Sequence, residues 1–380
     1  MAARRSHGQK KCLPCKARRM KCSETRPGCE QCSNHRLVSQ NNSPSLIWSD
    51  IRIKSRPPTP SSSSSSTASE DSVDLMASEQ KLNLEDLELM MNWCTATYRS
   101  LARTSAGERV WQSVVPRESL RNPFLMRGVL ALSALHLAFT HRGKQQKEYL
   151  KTAQAHQTHA LGGLTLAGAV SERNCNATFA LSSLMIVFSI AFPLLVRPTS
   201  THTSLDDLCR VFSITRRSIK VLIEIIPWVQ DGEMGSLTTR EEDPAPQMPD
   251  TSKLAILFLH NLNTTFSNHD PHHETAVYTE TIQILGECLE KLLRGGEPSL
   301  IAFRWIHRLP ARYLDLLTDR QPLALTILAH YCVILHHLRD RWWMGDWGTR
   351  ILREISQVLG CQWTQSISWA IDATGFVPGT

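Results

Sequence analysis

Five cysteines, Cys12, Cys15, Cys22, Cys29 and Cys32, are crowded near the start of the chain in the spacing C-x2-C-x6-C-x6-C-x2-C. A thiolate is a strong zinc donor, zinc prefers four sulfur or nitrogen ligands in a tetrahedron, and a C-x2-C turn aims two sulfurs at one ion. Two such pairs with a lone cysteine between them are the pattern of a metal centre. The surrounding segment has few apolar residues, so the metal must supply its folding free energy. Basic residues interleave with the ligands: Lys10 and Lys11 before the first cysteine, then Lys16, Arg18, Arg19 and Lys21 between the second and third. Arg and Lys donate to the O6 and N7 acceptors of guanine, and surrounding positive charge binds phosphate without regard to sequence. Metal-organised contact with DNA is the chemistry this constellation can perform.

The charge layout agrees. Residues 1–40 carry ten Lys or Arg and two acids, whereas the whole 380-residue chain has a net charge of only +7. A short cationic head on a nearly neutral body is the distribution of a polyanion binder. The other six cysteines (Cys94, Cys175, Cys209, Cys288, Cys332 and Cys361) stand singly among apolar neighbours and read as reduced, buried and inert. The basic N-terminus lacks the apolar stretch of a secretory signal, which points to a reducing compartment where clustered cysteines hold metal instead of forming disulfides.

The elements that must position these groups fall into three parts. The head spans 1–40. Residues 41–80 contain Arg56-Pro57-Pro58-Thr59-Pro60 and a serine run from Ser61 to Ser66, a composition expected of a disordered Ser/Pro-rich linker. Residues 81–380 are expected to form an all-α body. Leu84, Leu87, Met91, Cys94, Tyr98 and Leu101 recur at spacings of three and four as one apolar stripe behind an Asn83 N-cap. A second helix starts at Asn122, with Pro123 at its first position, and ends near Gly143. A third opens at Ser204, with Asp206 and Asp207 in its first turn, and is expected to stop before Pro227. Residues 231–250 read as a surface loop. Further helices are expected over 252–266, 275–294, 299–318 and 322–340, with Gly295-Gly296 as a break. The apolar stretch Phe179–Val196 approaches the length of a bilayer span. Its Ser182, Ser183, Ser189 and Pro193 favour a buried core helix, so no membrane span is expected.

The cysteine string resembles the fungal zinc binuclear cluster family, Zn2Cys6, whose pattern is C-x2-C-x6-C-x5–12-C-x2-C-x6–8-C. That family binds two zinc ions with six cysteines, two of which bridge both ions. The resemblance implies Cys12 and Cys29 as the bridging pair. One zinc then takes Cys12, Cys15, Cys22 and Cys29, and the other takes Cys12, Cys29, Cys32 and a sixth ligand. The shortest family spacing puts that ligand at Ser39, where the cysteine is missing. His35, in a Cys32-x2-His35 spacing, and water are the alternative donors. A retained splice-donor sequence at Val38-Ser39 is a separate explanation for the missing cysteine, which sequencing of the spliced transcript decides. In the family the stretch between the second and third cysteines is a short helix in the major groove. Lys16, Arg19 and Lys21 match family basic positions, and CGG-type sites are the expected target.

Two stretches of the body resemble the regulatory domain of sterol-uptake-control-like zinc-cluster factors. One runs from Val115 to Ala138 and contains Asn122-Pro123-Phe124-Leu125 and Leu130 to Ala138. The other runs from Ala324 to Trp347 and contains Ala329-His330-Tyr331, Trp342-Trp343 and Gly345-Asp346-Trp347. In sterol-responsive members this domain is a helical bundle with an apolar pocket, and here Phe179–Val196 would serve as one wall.

The expected function is therefore a nuclear, zinc-dependent, sequence-specific regulator of RNA polymerase II transcription that binds double-stranded DNA. The alternatives are a sensor of a sterol or lipid ligand, or a homodimer-forming regulatory protein, each with impaired DNA binding because of Ser39. No phosphate-binding glycine loop, nucleophile elbow or paired-carboxylate motif stands out, so no enzyme is expected. The sets His269, His272, His273 and His330, His336, His337 read as surface or internally satisfied histidines rather than a second metal site.

Overall fold

The computed structural model describes residues 83–196, 203–238 and 250–376, and every regular element among them is helical. The Cys-rich head and the Ser/Pro linker lie outside these residues, as do positions 239–249 of the expected surface loop. The helices are α1 (Leu84–Thr95), α2 (Ser105–Arg109), α3 (Val115–Ser119), α4 (Pro123–Thr140), α5 (Gly143–Leu166), α6 (Cys175–Leu195), α7 (Ser204–Val229), α8 (Asp250–His269), α9 (Thr275–Leu293), α10 (Pro298–Arg308), α11 (Ala311–Thr318), α12 (Pro322–His336), α13 (Trp347–Leu359) and α14 (Ser368–Thr374). Helix α4 packs on α5, α6 and α1; α6 packs on α7; and α12 packs on α13, α14, α9 and α10.

Helix α1 starts where expected, with the Asn83 side chain accepting from Asp86 N at 3.2 Å. Its buried face, however, is not the expected stripe. Leu84, Leu87 and Met91 are 71%, 48% and 63% exposed and Cys94 is exposed, while Leu89 and Trp93 are buried. A tryptophan removes more apolar area from water than a leucine, and Trp93 also places its indole N–H on Trp111 O at 3.0 Å. Asn92 Nδ2 donates to Ser133 Oγ at 2.9 Å and Ser133 Oγ donates to Leu89 O at 2.6 Å, which holds that same face against α4. Next to it, Asp86, His156 and Arg127 join α1, α5 and α4. Arg127 Nη1 can only donate, so His156 Nδ1 accepts at 3.1 Å and Nε2–H donates to Asp86 Oδ1 at 3.2 Å. Burial foremost holds this imidazole neutral, against the pull of Asp86.

Proline placement explains most other boundaries. Helices α2 and α3 are joined by a π turn at Val110–Val114 just ahead of Pro116, whose ring excludes the usual bond to the residue four earlier. Helix α7 runs through Pro227 to Val229 instead of stopping before it; so close to the helix end the proline costs one backbone bond. The stretch expected as one helix over 299–318 is two, α10 and α11, because Pro310 drives Leu309 into an extended conformation (ψ 135°). Helix α12 ends at His336 and is followed by tight turns. Helix α5 and helix α13 have no counterpart in the sequence expectations. Of the four buried residues of α5 (Ala153, His156, Ala160 and Leu164) only Leu164 is a large apolar side chain, which leaves little hydrophobic signal.

The deepest part of the body surrounds α12, in which Leu323 to Leu335 are buried without interruption. Trp305 of α10 stacks on Tyr331 with ring centroids 3.9 Å apart, and Phe212 and Tyr313 meet Trp305 edge-on. Tyr331 and Tyr313 hydroxyls donate to Ala302 O (3.1 Å) and Ala324 O (2.9 Å), so these phenols enter the core with their polar ends satisfied. Close helix approach is achieved at Gly348 of α13, where a Cβ would lie 2.7 Å from Cys332 O, and at Gly128 of α4, where it would lie 2.3 Å from Leu181 Cδ1. Helices α4 and α6 are long and apolar enough to cross a membrane by length and composition. Yet 61% and 72% of these spans are buried inside the protein, as expected of core helices.

Candidate ligand cavity

Helix α10 has two working faces. Ala302, Trp305 and Ile306 enter the core, Leu300, Phe303, Arg304, His307 and Arg308 face a cavity of about 680 Å³, and the buried Ile301 lies between the two and touches both. The two sets follow from spacings of three and four on one helix. Opposite α10, helix α7 presents Ile219, Leu222, Ile223 and Ile226 to the cavity in the same spacing. Helix α6 contributes Phe179, Ser183, Ile186 and Val187, so the expected wall from Phe179–Val196 is present in its first half. Trp111 and Trp343 close the remaining sides with Leu101 and Leu237. A largely apolar concavity of this volume with a few polar groups at its edge is the usual form of a small-molecule site.

The Trp343 wall is positioned by the turns after α12. Trp343 Nε1 donates to Ser100 O at 3.1 Å and Trp342 Nε1 donates to Ser100 Oγ at 2.8 Å. Trp342 also stacks on His136 at 4.8 Å. The Trp342-Trp343 pair thus ties the turns after α12 to the Thr97–Leu101 turn. Trp347 anchors α13 by donating to Ile190 O of α6 at 2.9 Å.

The charged groups of the cavity are mostly cationic: Arg103, Lys291, Arg304 and Arg308, with the His307 imidazole beside them. Arg308 pairs with Glu287, and Arg103 donates to Leu237 O at 2.5 Å. The one lining carboxylate, Glu297, caps α10 by accepting from Leu300 N at 2.8 Å. Behind the α10 C-terminus, Arg216 of α7 donates to the carbonyls of Ile306 (2.9 Å), His307 (3.3 Å) and Leu309 (2.5 Å), satisfying acceptors that the helix end leaves open. Burial, with a further contribution from the Arg216 charge, lowers the His307 pKa from its ordinary value.

The residues expected to do chemistry are elsewhere. Cys12, Cys15, Cys22, Cys29, Cys32, His35, Ser39, Lys10, Lys11, Lys16, Arg18, Arg19 and Lys21 all lie outside the described residues. Among the described residues no three His, Cys, Asp or Glu side chains gather as a metal site. Of the two histidine sets, His269, His272 and His337 are exposed, His336 is half-buried, and His330 and His273 have internal partners. His330 is buried, hydrogen-bonds Thr326 O at 2.9 Å and stacks on Trp369; burial drives its pKa down to about 4. His273 Nε2 meets Asn263 Oδ1 at 2.6 Å. Of the six body cysteines, Cys175, Cys288 and Cys332 are buried as expected, but Cys94 and Cys361 are exposed and Cys209 is half-buried. Sequence reading passed over Arg304 and His307; their signal was the switch from Leu300 and Phe303 to charged residues along one face of α10.

No family model matches the chain. The chain is 22% identical to a Zn(2)-C6 fungal-type transcription factor of Gibberella zeae, over 98% of this chain and 87% of that protein. It is 31% identical over 117 residues to Sterol uptake control protein 2 of Saccharomyces cerevisiae, covering 30% of this chain and 12% of that protein. It is 29% identical over 128 residues to Sterol uptake control protein 2 of Candida albicans, covering 32% of this chain and 17% of that one. The chain is thus similar along nearly its whole length to one Zn(2)-C6 fungal-type transcription factor, and over about a third of it to two sterol uptake control proteins.

Proposed function

We propose that this protein is a zinc-dependent, sequence-specific DNA-binding regulator of RNA polymerase II transcription that acts in the nucleus on CGG-type sites. The observation that carries this reading is the N-terminal C-x2-C-x6-C-x6-C-x2-C string with Lys16, Arg18, Arg19 and Lys21 inside it. The Zn(2)-C6 relative that matches along 98% of the chain supports it. The donor chemistry fits one zinc in full, held by Cys12, Cys15, Cys22 and Cys29. A second zinc has Cys12, Cys29 and Cys32, with His35, Ser39 or water as its fourth ligand. Bound zinc supplies the rigidity of the head. Lys16, Arg18, Arg19 and Lys21 then contact guanine edges and phosphates, while Lys10 and Lys11 add affinity that is independent of sequence.

The test is binding of the full chain to a CGG-containing duplex and to a scrambled duplex, with zinc and with chelator, alongside measured zinc content. Preference for the CGG duplex that disappears with chelator supports the reading. Equal binding in both conditions overturns a metal-organised reader. Zinc near one per chain without a DNA shift favours the second reading, in which the helical body senses a sterol or lipid and the head no longer reads DNA. That second reading is supported by the apolar cavity between α6, α7 and α10.

A further inference from the structure

We propose that the cavity between α6, α7 and α10 takes an anionic amphiphile, a long-chain carboxylate, with its chain on α6 and α7 and its carboxylate against Arg304 and His307. The proposal rests on the lipid-binding reading of that cavity and narrows the chemical class of its ligand.

The distribution of charge along α10 carries the argument. The cavity-facing side of this helix starts with Leu300 and Phe303 and ends with Arg304, His307 and Arg308. The opposite wall, Ile219, Leu222, Ile223 and Ile226 of α7, is apolar throughout. An occupant therefore meets hydrocarbon along one length and cations at one end. A neutral sterol would use the first feature and leave the second idle.

The cations differ in their engagements. Arg308 is held by Glu287 and Arg103 by the Leu237 carbonyl. Arg304 is exposed and makes no hydrogen bond or ion pair among the described residues, although it lies within electrostatic range of Glu287. A guanidinium in this situation offers two parallel N–H donors, the geometry that a carboxylate accepts. Glu297, the lining acid, is occupied as the N-cap of α10 and sits at the other end of that helix. Arg216 keeps the anionic site compatible with its position, since it covers carbonyls at the α10 C-terminus that would otherwise repel a carboxylate.

The experiment is titration of the full chain with cis-9-octadecenoic acid, the corresponding alcohol and ergosterol, each below its aggregation concentration. Trp111 and Trp343 in the cavity wall give a fluorescence readout, and calorimetry gives an independent one. The acid is expected to bind about tenfold more tightly than the alcohol, the scale of one charge-assisted contact at a partly solvated site. Arg304→Gln is expected to bring the acid to the level of the alcohol and leave the alcohol unchanged; Arg304→Lys is expected to restore part of the preference. Ile223→Trp, which narrows the cavity at its α7 wall, is expected to weaken binding of both.

Equal affinity for acid and alcohol, or a sterol preferred over the acid, overturns the anionic assignment and leaves the lipid reading standing. Binding of none of the three overturns both. Affinities for acid and alcohol that Ile223→Trp leaves unchanged place the ligand elsewhere and overturn the assignment of this cavity.

Discussion

The two faces of α10 make the most instructive comparison in the molecule. On one side, Trp305, Tyr331, Tyr313 and Phe212 pack ring against ring, with the phenol hydroxyls bonded to backbone. On the other, residues of similar hydrophobicity line a space of about 680 Å³ with unengaged charge at its edge. Apolar composition is common to both. What separates core from cavity is whether the opposing side chains reach one another, and that depends on helix spacing rather than on residue type.

The comparison can be broken most directly at Trp305. Replacing this buried ring with alanine is expected to cost about 3–5 kcal/mol in equilibrium unfolding, through lost burial and an unfilled hole. If Trp305→Ala costs less than about 1 kcal/mol, the supposed core is loosely packed and the contrast fails.

Acid tests the core around α12 next. His330 sits neutral in the core with a pKa of about 4, below the ordinary 6.5 of the unfolded chain. A histidine depressed on folding stabilises fully above its unfolded pKa, and that contribution is lost as pH falls through the folded one. Between about pH 6.5 and pH 4 the native state is therefore expected to lose on the order of 3 kcal/mol through this residue. Unfolding free energy measured against pH, in the native chain and in His330→Leu, checks the assignment: the variant should show the shallower slope.

A smaller effect sharpens the boundary between the two faces. Arg216→Ala removes the donor from three carbonyls at the α10 C-terminus and is expected to cost about 1.5–3 kcal/mol, seen as a lower unfolding midpoint. The smallest expected change is on the cavity side. Leu300 is 39% exposed, and Leu300→Ser is expected to change stability by under about 1 kcal/mol, measured by the same denaturant titration. A large loss there would mean that the cavity wall is packed core after all.

Several features of the fold were legible before any coordinates. Asn83 as an N-cap, Pro123 opening α4, the Ser204 start of α7 and the Gly295-Gly296 break all depend on local backbone chemistry, which acts within a few residues. The expectations that failed depend on distant partners. The Leu84, Leu87 and Met91 stripe had the right period, but Trp93 and the Asn92–Ser133 contacts determine which face of α1 turns inward. Pro227 looked like a stop because sequence shows the lost bond and not how near the helix end already is. Arg304 and His307 drew no expectation from the sequence, since nothing local marks the wall that α7 places opposite them.

By itself the sequence carries the proposal of metal chemistry for the head, because thiolate spacing and the basic residues between the cysteines are properties of a short contiguous stretch. It also determined that the body is helical, through periodicity and caps. Only the tertiary structure decided which apolar residues are core and which line a cavity, and which cations share the cavity's edge. Those outcomes arise from groups far apart in the chain, such as the Ser100 carbonyl that accepts from the Trp343 indole, whose meeting is a property of helix packing and of no single segment.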